Sequence, residues 1–138
     1  MSQSHVINEN AAYFSATVSA YCFINMTGEV AADGIPGVQA AGSGERADGA
    51  VISTMTAGVV RRYSPCGQSN RQSIVLGTTS AVTAGDMIMA GTAGVGIKLI
   101  VASTTAPVYC NAIARESGVS TDIILCELVS PFKVADKN

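Results

Sequence analysis

Tryptophan is missing from this 138-residue chain, histidine occurs once, and leucine occurs only four times. Charge is scarce as well: Asp, Glu, Lys and Arg make up 13% of the residues, about half of the ~25% usual for a soluble domain. With 8 Lys and Arg against 10 Asp and Glu, the net charge is −2, so the chain lacks the basic excess that nucleic-acid or membrane-surface binding requires. No apolar run approaches the ~20 residues of a membrane-spanning helix. The opening Met1-Ser2-Gln3-Ser4-His5 shows no basic stretch followed by an apolar one, so no secretory leader is expected and the product reads as cytosolic. Few Leu, Glu, Lys and Arg also argue against a helix-rich fold.

The cysteines stand at 22, 66, 110 and 126, with no C-x-x-C pair, and one His cannot complete a Cys₂His₂ set. Neither a metal nor a cofactor is therefore expected. In a reducing cytosol the thiols are expected to stay free and to pack as small hydrophobes. Cys66, in the turn Ser64-Pro65-Cys66-Gly67, is the expected exposed one. His5 lies in a polar start where packing cannot hold an imidazole, so no nucleophile, base and orienting acid come together. No catalytic residue is assigned, and the chain is not expected to be an enzyme.

What is plentiful is β-branched and small: 15 Val, 11 Ile and 11 Thr beside 14 Gly and 20 Ala. That composition favours strands and frequent turns. Residues 1–11 are polar and aperiodic and read as a flexible arm, with 12–138 as a single β domain of the length one core can serve. Phe14, Ala16, Val18, Ala20, Cys22 and Ile24 alternate with Ser15, Thr17 and Ser19, the pattern of one half-buried strand, and Met26-Thr27-Gly28-Glu29 reads as the turn that ends it.

Residues 31–50, with five glycines and Pro36, read as a long contact loop. Further strands are expected over 51–63, 73–76, 87–89, 95–101, 108–113 and 123–129. The last is apolar on both parities except Glu127, as in a strand covered on both faces. Such a series of short strands with turn signals between them indicates an all-β fold, a small barrel or sandwich.

Two glycine motifs fail their structural tests. Gly42-Ser43-Gly44-Glu45-Arg46-Ala47 fits G-x-G-x-x-A, but Pro36 and Gly37 precede it and no acid occurs between Asp48 and Asp86, so it reads as a loop. In Gly91-Thr92-Ala93-Gly94-Val95-Gly96-Ile97-Lys98 the Lys comes one residue late and Leu99 replaces the hydroxyl of a phosphate-binding loop, leaving a glycine-rich hairpin turn. Asn25-Met26-Thr27 is formally a glycosylation sequon, expected to stay unmodified without secretion. Arg61, Arg62 and Arg71 flank the Pro-Cys-Gly turn as the one basic cluster. They read either as a solvated strand end or as a docking patch for carboxylates of a protein partner.

The run Ser80-Ala81-Val82-Thr83-Ala84-Gly85-Asp86-Met87-Ile88 resembles a turn-and-strand signature of tailed-phage head decoration (capsid cement) proteins. Ala112 to Gly118, followed by Asp122 to Leu128, is similar to their closing segment. It departs at Ala112 and Arg115, where Gly and Leu are usual, and in the longer Ser120-Thr121-Asp122 connection.

The resemblance implies a non-enzymatic virion protein with a small β-barrel or β-sandwich body. Such a protein would be made in the host cytoplasm, assemble as a homotrimer and bind the major capsid protein on the outer surface of the head. Low charge and a neutral surface suit an assembly component, for which the arm and the 31–50 loop are the expected capsid contacts. Two alternatives remain at this point: another virion β-domain such as a tail tube or fibre base, and a small-ligand-binding barrel.

Overall fold

Alternation of β-branched and small residues becomes a succession of short strands along the described residues. The computed structural model describes residues 11–30, 34–68, 70–78, 80–100 and 108–134, and among these are thirteen strands, one short 3₁₀ turn at Thr92–Gly94 and no α-helix. The fold is all-β, as the composition implies.

Six strands form the first sheet: β1 (Ala11–Phe14), β2 (Phe23–Val30), β3 (Pro36–Ala40), β4 (Gly49–Ala50), β5 (Val60–Arg62) and β6 (Ser64–Pro65), in the order β5-β1-β3-β2-β4-β6. The two ends of that order, β5 and β6, are separated in sequence by Tyr63 alone. One residue spans at most ~3.6 Å, so the sheet must curl until its ends meet. The result is a nearly closed barrel. β1 lies parallel to β3, Tyr13 beside Gly37, and antiparallel to β5, Ala12 opposite Arg61. Closure is tight at Gly49, where a Cβ would run into the Ser64 carbonyl and the Tyr63 ring, so only glycine fits.

A second sheet uses β7 (Arg71–Val75), β9 (Met87–Ala90), β10 (Gly96–Lys98), β11 (Val108–Ala114) and β13 (Ile123–Val134), in the order β10-β9-β11-β13-β7. It curls too. Just past β7, Leu76 pairs with Gly96 of β10 and the Gly77 N–H donates to the Gly96 carbonyl at 2.9 Å. A Cβ on Gly96 would stand 2.7 Å from Ile74 Cγ2. A small ribbon, β8 (Ala81–Val82) with β12 (Gly118–Val119), stands beside it.

Two buried clusters result. Inside the barrel lie Ala12, Phe14, Val18, Cys22, Ile24, Val38, Val51 and Met55. The other joins the sheets: Phe23, Ala41, Ala47 and Ala50 come from the barrel side, while Ile74, Ile88, Ala112, Ala114, Ile124, Cys126 and Leu128 come from the second sheet.

Several expectations need correction. The single strand over 14–24 is two strands, because Tyr21 takes a left-handed backbone (φ 65°) and breaks the extension; Val18 keeps an isolated bridge to Met55, while Ala16 is exposed. Met26-Thr27-Gly28-Glu29 is no terminal turn but an irregularity within β2, whose register to β3 shifts between Met26 and Val30.

The expected 31–50 loop contains β3 and β4, their extended backbone hidden by glycines that allow close approach. Of 51–63 only Val60–Arg62 is strand, and of the described residues 95–100 only Gly96–Lys98. β13 has neighbours on both edges, but only one face is covered: Ile124, Cys126 and Leu128 are buried, whereas Ile123 on the other face is 52% exposed. Ala11, the last residue of the expected arm, stands in β1 opposite Arg62; residues 1–10 and 101–107 lie outside the described residues.

Candidate interaction surfaces

Gly42 to Ala47 carried the G-x-G-x-x-A pattern, and no helix follows it. Its backbone is held instead by side chains. Asn111, fully buried at the irregularity of β11, accepts from the Ala47 N–H at 3.0 Å and donates to the Glu45 carbonyl at 3.1 Å. The Glu45 carboxylate caps the turn, accepting from the Gly42 N–H at 2.8 Å and from Asn25 Nδ2 at 2.7 Å. Asp48 accepts from the Met26 N–H and pairs with Arg46 at 2.7 Å. Such a loop is a clamp between the sheets, with the N–H groups of Gly42, Gly44, Glu45, Ala47 and Asp48 all bonded within the chain. The second motif, Gly91 to Lys98, is the hairpin linking β9 to β10, as its sequence implies. Asn25 of the sequon spends its amide on Glu45.

The basic cluster divides. Arg61 and Arg62 sit on β5 of the barrel and are exposed. Arg71 begins β7 in the other sheet, directly opposite Glu127. Between them the turn is pinned by Asn70 Nδ2 donating to the Pro65 carbonyl at 3.1 Å. Cys66 is partly buried and not exposed as expected; it packs against the inter-sheet core. Burial, reinforced by the nearby Asp48 carboxylate, pushes its pKa up to about 12, and burial with Glu116 does the same for Cys126. Both thiols stay protonated at neutral pH and are poor nucleophiles there.

Two exposed regions stand out. One is the barrel end at which β1 begins. Val30 is opposite Pro36, Pro36 precedes the Gly37 that pairs with Tyr13, and Ala12 is opposite Arg61. Val30, Pro36, Ala12 and Arg61 thus form one row across four strands. Val30 (66%), Val60 (39%) and Met26 (36%) expose apolar surface there. The other is the outer face of the second sheet, where Met87, Ile113, Glu127 and Arg71 form a row and Ile123 and Leu125 stand on the same side of β13. Glu127 is held there by two nitrogens of Arg115, at 2.7 and 3.1 Å.

At the edge of this sheet a cleft of about 570 Å³ is lined by Val82, Lys98, Gly118, Val119 and Asp122. Asp122 is occupied by the Val119 N–H, and Lys98 is paired with Asp86 at 3.6 Å. Among the described residues no group of three or more His, Cys, Asp or Glu side chains could hold a metal ion.

Sequence reasoning missed Asn111. A lone amide in the apolar run Val108-Tyr109-Cys110-Asn111-Ala112-Ile113 is a usable signal, because a buried amide needs partners. It also passed over Glu29, which nothing in the pattern distinguished from an ordinary surface acid.

No family model matches the sequence, and no curated protein matches it. Among solved structures, the chain is similar to the N base of the head fiber protein gp8.5 of bacteriophage phi29. The TM-score is 0.66 at 15% identity, over 90% of this chain and 94% of that one. The likeness is one of fold.

Proposed function

We propose that this chain is a non-catalytic structural protein of a phage virion that binds the major capsid protein on the outer surface of the head and stabilises the shell. The observation that carries the reading is the fold, shared across nearly the full length of a head fiber base. The segments that resemble decoration proteins support it, since they supply β9, β11 and β13, which lie side by side in the second sheet. The neutral, partly apolar outer face of that sheet suits contact with protein better than contact with nucleic acid or membrane, and the protonated thiols suit a role without covalent chemistry. In this reading the protein is made in the host cytoplasm and works as an oligomer, with the trimer taken from the resemblance.

A second reading is favoured by the neighbour itself: the chain is the base of a fibre that projects from the head. Co-sedimentation with undecorated heads, followed by imaging, tests both. Binding across the whole lattice supports decoration, and binding at a few spaced sites supports a fibre base. Failure to bind heads, or binding to tails alone, overturns the proposal.

A further inference from the structure

Among the described residues, nearly every carboxylate is engaged within the chain. Glu45, Asp48, Asp86, Glu116, Asp122 and Glu127 each accept from a backbone N–H or a side-chain donor. Glu29 is the exception. Its backbone N–H donates to Thr27 Oγ1 at 3.1 Å, within the irregularity where Gly28 takes φ 88°, and its side chain is exposed with no partner among the described residues. On the cation side, Arg46, Lys98 and Arg115 are paired, while among the described residues Arg61, Arg62, Arg71 and Lys133 meet no carboxylate. The Arg61 guanidinium reaches only the neighbouring Val60 carbonyl, at 2.9 Å.

Of these unmatched charges, Glu29, Arg61 and Arg62 share one end of the barrel, while Arg71 and Lys133 belong to the second sheet. Glu29 precedes Val30, and Val30 and Arg61 close the same row, three strand spacings apart, or about 14 Å at ~4.8 Å each. Among the described residues the two charges do not meet within one chain. Both carriers also lie where the sheet has an open edge. β4 pairs with β2 only at Phe23 and Ile24, so Thr27 to Val30 have no strand on that side, and β5 has β1 alone as a neighbour. Each charge has exposed valine beside it, Val30 next to Glu29 and Val60 next to Arg61.

We propose that the barrel end is a self-association surface, in which Glu29 and Val30 of one copy dock on Val60, Arg61 and Arg62 of a second copy. Guanidinium forks match a carboxylate with two parallel hydrogen bonds, and the valines leave water together. The irregularity at Gly28 turns β2 away from ladder pairing, so the contact runs through side chains and does not extend the sheet. With both halves of the contact on one end of the molecule, copies related by a rotation axis through that end satisfy both halves at once and close the assembly. The inference deepens the oligomer of the reading above and is independent of binding to heads.

The test is the mass of the free protein by sedimentation equilibrium at high micromolar concentration. Wild type is expected to associate, and to dissociate as salt is raised. Glu29→Arg alone, and Arg61→Glu with Arg62→Glu, should each weaken association at least about tenfold by placing like charges together. The three substitutions combined in one chain restore opposite charges and should recover association to within a few-fold of wild type. Circular dichroism and melting confirm the fold of each variant, and Gln at the same positions serves if a reversal fails to fold. A monomeric wild type, single reversals that associate normally, or a combined variant that stays dissociated would each overturn the contact. Head binding is judged separately by co-sedimentation, so the two proposals fail on different observations.

Discussion

The two cores of this protein are filled by opposite means. In the barrel, large side chains occupy the space that a curled sheet leaves open: Phe14, Ile24, Met55, Val18, Val38 and Val51, with Ala12 the one alanine. Between the sheets, six of fourteen residues are alanine, at 41, 47, 50, 90, 112 and 114. There the backbones themselves come close, and a methyl group fills what remains. A barrel cavity is fixed by strand number and tilt and must be plugged, whereas a seam can be narrowed until small residues suffice. Truncation should therefore hurt the first region and enlargement the second.

The largest effect is expected from Phe14→Ala, which empties the barrel and should cost about 3–5 kcal/mol by chemical denaturation. A loss under ~1 kcal/mol would mean that the barrel collapses around the gap, and the contrast between the cores would fail. Next is Asn111→Ala at the seam. It leaves the buried Ala47 N–H without its acceptor and should cost about 2–3 kcal/mol, with amide exchange rising selectively over residues 42–48. Ala112→Leu should cost about 1–3 kcal/mol by overpacking, although the same change makes the chain more hydrophobic.

Alkaline pH separates the cores more gently. Cys126 and Cys66 of the seam are held up to about 12, against an ordinary 9.0, while burial raises the barrel's Cys22 by less. The folded chain keeps these protons after the unfolded chain has released them. Stability is then fully present below about pH 9 and is lost as pH rises toward 12. At pH 10.5, Cys126 alone should withdraw about 2 kcal/mol. Melting curves at pH 7, 9 and 10.5 should flatten in Cys126→Ala and much less in Cys22→Ala. The smallest effect is expected at the surface: a double-mutant cycle on Arg115 and Glu127 should give at most about 1 kcal/mol, because the pair is partly in water.

Strand content and the strongest strands were legible in the sequence because alternation survives wherever a strand has one buried face. Thr83-Ala84-Gly85-Asp86 turning into Met87–Ala90 was readable for a local reason: Asp86 Oδ2 accepts from the Thr83 N–H, and Gly85 takes φ 98°. β3 and β4 were not legible. Their glycines are there for tertiary closeness, Gly49 against Tyr63 and Gly37 with 3.0 Å to Thr27 Oγ1 for any Cβ, and such contacts leave the same mark in sequence as a loop. Alternation over 14–24 misled because Val18, Cys22 and Ile24 are buried through a bend. The basic cluster was legible as composition but not as geometry, since a five-residue turn carries Arg71 into another sheet.

Tyr63 has a consequence for how the molecule comes into being. Because the strand on either side of it closes the barrel, every barrel partner has been made once residue 65 is complete, whereas the second sheet awaits β13 at Ile123–Val134. A chain synthesised from its N-terminus can thus finish one core while half of its length is still to come. Asn111 arrives later, on β11, and fastens the 42–48 loop of a barrel already standing. The order of the strands along the gene is in this sense an assembly schedule, with the plug set first and the clasp last.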